Sequence, residues 1–347
     1  MMTSTAYIPT LALSSNKLDK EQLTKSIQKA LSTLGFLYIT HPKLNPNSIS
    51  TLFKISKEFF TKTSEIEKLK CTRQSDNMGY VAFKAEQLDP TKDSQGDTKE
   101  AFNLGRLSLD DGVPVGRSTQ LMPSTLQCHL SALYEFQETC RSICVEILEL
   151  LAISFGLPED VFSSQHQANQ EDISIIRLLY YPATQPPISA STTESPRIRA
   201  GAHSDYGSLT LLIQESDGPT GLQVLTSASQ SENESEPDNK QQVWKDVAVQ
   251  PGAILVNIGD ALEFWTGGQL KSTIHRVIQP THPKDPNPSR FSIAYFCQPD
   301  PNAILSDVLR LDTDQLTKSR LESKGISLSE TLTSREHLAR RHAVTYL

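Results

Sequence analysis

The sequence predicts an α+β fold, in which a helical first part precedes a mainly β core of antiparallel sandwich or barrel type. Three observations carry that reading. Apolar residues recur at helical spacing as far as Gly156. From Asp172 the pattern changes to short β-type runs separated by Gly, Pro, Asn and Asp clusters. The chain has 347 residues, 37% of them hydrophobic, which is enough to bury a sizeable core. The expected organisation is a helical region over 5–120, a long buttressing helix and connection over 121–170, the β core over 171–300 and a helical tail over 301–347.

The elements follow in order. Asp19 caps a first helix, with Gln22 three residues on, and Leu23, Ile27, Ala30, Leu31 and Leu34 form its apolar stripe. Gly35 stops it, and Phe36-Leu37-Tyr38-Ile39 follows as a strand. A second amphipathic helix runs through Ile49, Leu52, Phe53, Phe59 and Phe60. Met78 to Leu104 is looser, broken by Gly79, Pro90 and Gly96, and leads into a short strand at Ala101–Leu104. The longest helix is capped by Ser124, carries Leu126, Leu130, Leu133, Cys140, Cys144, Ile147, Leu151 and Phe155 on one stripe, and ends at Gly156 and Pro158. The β-type runs are Ile173–Tyr181, Ser208–Glu215, Leu222–Thr226, Val243–Val249, Ala253–Asp260, Ile274–Gln279 and Phe291–Gln298. Two polar inserts, Ala183–Arg197 and Ser227–Gln242, read as solvated loops. After Pro301 the chain turns helical again, and the basic Arg335–His342 segment reads as a solvated helix face packed back on the domain.

Composition excludes several classes. A net charge of −7 argues against a nucleic-acid or anionic-membrane surface. No stretch nears the roughly 20 apolar residues of a transmembrane helix, and the N-terminus lacks the pattern of a secretory signal. The five cysteines, Cys71, Cys128, Cys140, Cys144 and Cys297, form no C-x-x-C pair and do not read as a disulfide framework. A reduced, cytoplasmic protein is expected. The sequence does not set an oligomeric state.

Two short patterns carry chemistry. His203-Ser204-Asp205 places an imidazole and a carboxylate at i and i+2, on one face of an extended chain. His275 opens a later strand. Two His and one carboxylate make the facial triad of non-haem iron(II), which leaves adjacent coordination positions open for a chelating cosubstrate and dioxygen. Arg290-Phe291-Ser292 repeats the i, i+2 device with a planar guanidinium and a hydroxyl, a pair suited to the far carboxylate of a dicarboxylic cosubstrate such as 2-oxoglutarate. H-x-D and R-x-S are weak alone; order, strand context and spacing together make the case.

Four blocks resemble the signatures of the 2-oxoglutarate/iron(II)-dependent dioxygenases: Gly201–Leu212, Val256–Asp260 with Trp265-Thr266, Lys271–Val277 and Arg290–Ser292. Arg177-Leu178-Leu179-Tyr180-Tyr181-Pro182 and the helix closing at Leu34-Gly35 resemble the branch named after isopenicillin N synthase, and Glu86–Pro90 through Gly96–Glu100 looks more like its fungal and bacterial members. The resemblance implies a double-stranded β-helix (jelly roll) with helices packed on one side. It implies iron(II) on His203, Asp205 and His275, 2-oxoglutarate held by Arg290 and Ser292 with help from Tyr181, dioxygen as oxidant and ascorbate as a supporting reductant. Plant members usually carry Asn where this chain has Leu179. The implied reaction is decarboxylation of 2-oxoglutarate to succinate coupled to hydroxylation, desaturation or rearrangement of a small molecule of specialised metabolism. Candidate pocket residues are Phe102, Asn103, Tyr206, Phe264 and Phe296, while Arg106 reads as a surface ion pair. Alternatives are an iron oxidase of the same fold that uses no 2-oxoglutarate, a metal-dependent hydrolase or lyase on a cupin-like barrel, and a silent ligand-binding barrel.

Overall fold

The computed structural model describes residues 4–13, 20–89, 96–117, 119–167, 172–183, 197–227, 242–281, 288–306, 308–309, 314–325 and 330–345. The Asp19 cap and most of both polar inserts lie outside them. The first part comprises β1 (Thr10–Ala12), α1 (Lys20–Thr33), β2 (Phe36–Thr40), α2 (Pro46–Lys62), α3 (Glu65–Lys70), β3 (Gly79–Val81) and β4 (Glu100–Leu104). Then come a small hairpin of β5 (Ser108–Asp110) and β6 (Val113–Val115), the short α4 (Ser124–Gln127) and the long α5 (Leu130–Ser154). The β core contains β7 (Ile175–Tyr181), β8 (Ile198–His203), β9 (Leu209–Gln214), β10 (Thr220–Ser227), β11 (Gln242–Asp246) and β12 (Ile254–Ile258). It continues with α6 (Asp260–Trp265), β13 (His275–Thr281) and β14 (Arg290–Cys297). The tail adds β15 (Ile304–Leu305), α7 (Gln315–Ser323), β16 (Leu332–Thr333) and α8 (Ser334–Thr345).

Two sheets define the core. The larger has the order β1-β2-β12-β9-β14-β7-β4-β3, and the smaller β11-β10-β13-β8. From β7 to β14 the chain passes back and forth between the sheets, four strands to each, which winds it into a double-stranded β-helix. Alternation decides what each face meets. In β14, Phe291, Ile293 and Tyr295 face the helices, as do Ile176 and Leu178 of β7 and Leu209, Leu211 and Ile213 of β9. The intervening residues of the same strands face a cavity between the sheets. On the helix side, Ile27 and Leu31 of α1, Phe59 of α2 and Leu133, Ile143 and Ile147 of α5 are fully buried, each side chain contributing about 1.5–3 kcal/mol.

The structure corrects four readings. The first third is not only helical, because β1–β4 extend the larger sheet on both edges. Ser124 does not cap one continuous helix; it opens α4, its backbone N–H and hydroxyl both bind Glu67, and the chain breaks at Cys128-His129 before α5. The predicted strand Ala253–Asp260 stops at Ile258, and Asp260 begins α6 instead. The strand β8, unpredicted as such, is fixed by pairing with β13. Gly35, by contrast, does end α1: its φ is +76°, and a Cβ there would lie 1.9 Å from the Lys271 carbonyl oxygen.

Candidate active site

His203 is the last residue of β8 and His275 the first of β13, and the antiparallel register sets the two directly opposite each other. Their rings lie 4.4 Å apart. Asp205 lies two residues beyond the end of β8 and brings Oδ1 to 3.9 Å from His203 Nε2 and 3.7 Å from His275 Nε2. The three ligand atoms lie within 4.8 Å of one another. Each ring is oriented from behind: His203 Nδ1 binds the Gly201 carbonyl at 2.7 Å, and His275 Nδ1 that of Thr273 at 3.1 Å. A proton held at Nδ1 leaves the Nε2 lone pair for an ion.

The carboxylate is prepared in the same way. Asp205 Oδ2 accepts from Thr210 Oγ1 at 2.6 Å and Asn257 Nδ2 at 2.7 Å, which leaves Oδ1 for coordination. Burial would raise its pKa, yet the two imidazoles and these donors hold it below the usual carboxylate range. Burial and the facing His275 depress that of His203, so its neutral, ligating form prevails. Two imidazole nitrogens and one carboxylate oxygen, converging without a fourth protein ligand among the described residues, fit iron(II) with open positions.

Arg290 sits on the same cavity wall. It is 2% exposed, and its partners among the described residues are neutral: Ser292 Oγ at 3.2 Å, Gln214 Oε1 at 3.1 Å and the ring of Tyr181 at 5.1 Å. Register explains the cluster, since β14 pairs Arg290 with Tyr181 on β7 and Ser292 with Gln214 on β9. A buried guanidinium facing only neutral groups is a receptor for a carboxylate.

The triad and Arg290 line one cavity that opens to solvent. Tyr206 and Phe296 line it too. Phe102, Asn103 and Phe264 do not. Phe102 packs on Phe59 at 5.1 Å in the helix-side core, and Phe264 lies in that core on α6. Asn103 donates to the Asn77 carbonyl one layer behind the wall. Arg106 pairs with Glu138. Sequence reasoning missed Gln214, Glu86, Lys99, Leu338 and His342, all but Gln214 cavity-lining. Glu86 and Lys99 lay in a block already singled out; the two tail residues carried no signal, and α8, expected to be a solvated face, supplies part of the wall.

A jelly roll with this triad and a buried arginine on the facing strand defines a non-haem iron oxygenase. Comparisons agree. Residues 173–299 match the model of the 2OG-Fe(II) oxygenase superfamily, and residues 8–124 that of the non-haem dioxygenase in morphine synthesis N-terminal region. A UPF0676 protein of Schizosaccharomyces pombe is 33% identical, covering 88% of this chain and 86% of its own. A proline hydroxylase of Petromyces alliaceus is 30% identical over 81% of this chain and 82% of its own. The crystal structure of a full-length Neurospora crassa protein in complex with alpha-KG and thymine superposes with a TM-score of 0.73 at 27% identity, covering 97% of this chain and 96% of that one. The chain belongs to the 2-oxoglutarate/iron(II) oxygenase superfamily and is a 2-oxoglutarate-dependent dioxygenase of small molecules.

Proposed function

We propose that His203, Asp205 and His275 hold the iron, that Arg290 and Ser292 hold the far carboxylate of 2-oxoglutarate beside Tyr181, and that the substrate lies against Tyr206 and Phe296. Iron(II) so held supplies the redox chemistry that couples decarboxylation of 2-oxoglutarate to oxidation of a substrate C–H bond. The residues do the rest. Arg290 and Ser292 fix one end of the cosubstrate, so that its 2-oxo acid end is directed toward the triad. Leu179, Leu212, Val277 and Ala294 form an apolar wall that keeps water from the reacting centre. Thr210 and Asn257 hold Asp205 to one coordinating oxygen. Fungal relatives named for proline hydroxylation and other 2-oxoglutarate-dependent oxidations support a place in specialised metabolism. The unpaired cysteines support a cytoplasmic setting.

The observation that carries this reading over the cosubstrate-free oxidase is Arg290, a buried cation whose partners among the described residues are neutral. The test is anaerobic addition of iron(II) and 2-oxoglutarate, then succinate release with dioxygen and ascorbate. A visible charge-transfer band and succinate are expected. His203→Ala and Asp205→Ala should abolish both signals. Arg290→Ala should raise the 2-oxoglutarate requirement about 30-fold or more, since truncating one partner of a buried charged contact costs about 2–5 kcal/mol. An unchanged requirement in that variant would return the oxidase to favour.

A further inference from the structure

The tail is built into the site. Leu338 and His342 of α8 line the cavity, and the ring of His342 packs edge-on to Tyr206 at 5.9 Å. Several bonds hold the helix there. Thr345 Oγ1 meets Tyr206 Oη at 2.6 Å, and the Thr345 carbonyl accepts from the Gln87 N–H at 2.9 Å. Arg341 stacks on Tyr206 at 4.5 Å and reaches Ser204 Oγ at 3.3 Å and Asp260 at 3.7 Å. Asp260, fully buried, accepts from Ser204 and from Ser272, on the segments that carry the three ligands, and Lys324 at the end of α7 closes on it at 3.3 Å.

The buried charges at the same end of the cavity are paired with one another. Glu86, 2% exposed, lies 2.7 Å from both Lys99 and Arg177, and Lys99 also binds Asp97 at 2.6 Å. Two buried cations thus meet two buried anions, and a charged guest would leave one of them uncompensated. Burial, then Arg73 and Arg177, hold the pKa of His342 down to about 4, so its imidazole adds polarity without charge.

Resting on the dioxygenase reading above, we propose that α8 is a specificity wall of the substrate pocket, and that this pocket takes an uncharged, hydrogen-bonding small molecule. Leu338 and His342 are its specificity-determining residues. The test uses the full chain with iron(II) and 2-oxoglutarate, anaerobically, and reads the shift of the visible band as a probe is titrated. Thymine serves as the uncharged probe, orotate as its carboxylated counterpart and L-proline as a zwitterion. Thymine should shift the band, with orotate and L-proline at least about tenfold weaker. Leu338→Ala and His342→Ala should each weaken thymine by about tenfold or more, the loss expected for one buried contact. The band formed before probe addition shows that each variant is folded, and His342→Gln, which keeps a polar edge, should recover part of the affinity. The proposal is overturned if thymine leaves the band unmoved, if a charged probe binds as tightly, or if both α8 variants bind thymine like the parent. Failure of the parent protein to form the band at all would instead refute the dioxygenase reading beneath it.

Discussion

Asn257 shows how much one neutral side chain can decide. Its amide and the Thr210 hydroxyl occupy the same carboxylate oxygen, so Asp205 presents the other to the two imidazoles. Without that donor the carboxylate is free to rotate, and its charge loses a stabilising partner in a buried site. Asn257→Ala is therefore expected to weaken iron(II) affinity about 10–100-fold, the range typical for groups that orient a ligand from behind. Metal titration by calorimetry would show it. Retained affinity would mean that Thr210 alone fixes the carboxylate. Residues of this kind are hard to find in a sequence: Asn257 reads as one more polar position in a β run, and its role exists only because β12 and β9 pair through Asn257 and Thr210.

At the scale of elements, strands with unlike faces were legible and strands fixed by partners were not. β7, β9 and β14 pack one face on helices and line a cavity with the other; β14 shows that two-residue period in Arg-Phe-Ser-Ile, while β7 reads as an apolar run interrupted by Arg177. β8 reads Ile-Arg-Ala-Gly-Ala-His, with little β-branched character, and owes its strand geometry to β13. The convergence of His203, Asp205 and His275 was legible because two of them share one strand end. The far end of the cavity was not, since Glu86, Arg177 and His342 converge on it from three distant parts of the chain. Phe102 was misassigned for a related reason: β4 turns it toward Phe59, away from the cavity. The turn into α6 supplies a prediction. A Cβ at Gly259 would sit 2.1 Å from the Gly207 carbonyl oxygen, so backbone must move to admit one. Gly259→Ala should lower stability by about 2 kcal/mol or more, visible as a shifted urea midpoint. A midpoint within error of the parent would show that the two loops can separate.

For the whole molecule, acid sensitivity follows from a histidine buried neutral. His166 is held between the Phe162 carbonyl at 2.7 Å and Ser208 Oγ at 2.9 Å, and burial lowers its pKa from 6.5 to about 4. The folded state therefore binds this proton less readily than the unfolded chain. Stability from this group is fully present above pH 6.5 and is lost as pH falls toward 4, at up to about 1.4 kcal/mol per pH unit. Urea midpoints between pH 7.5 and pH 4.5 should follow that slope. His166→Gln should reduce it by His166's own share, leaving that of His342 and the other histidines held neutral; an equal slope in the variant would assign the loss to those groups and to Glu86, whose carboxylate is also held far below its usual range against burial by Arg177 and Lys99.

The pairing of His203 with His275 across two strands means that the sheet itself brings the proposed ligands together. A site so prepared is hospitable but not discriminating. Nitrogen and carboxylate donors bind iron(II) less firmly than nickel, copper or zinc, so rigidity of this kind rewards whichever ion is most available. The isolated protein is expected to carry a mixture of metals and to gain activity when stripped with a chelator and reloaded anaerobically with iron(II), with metal analysis before and after as the check. Fidelity of metal loading is then set by the surrounding supply of ions, not by the protein.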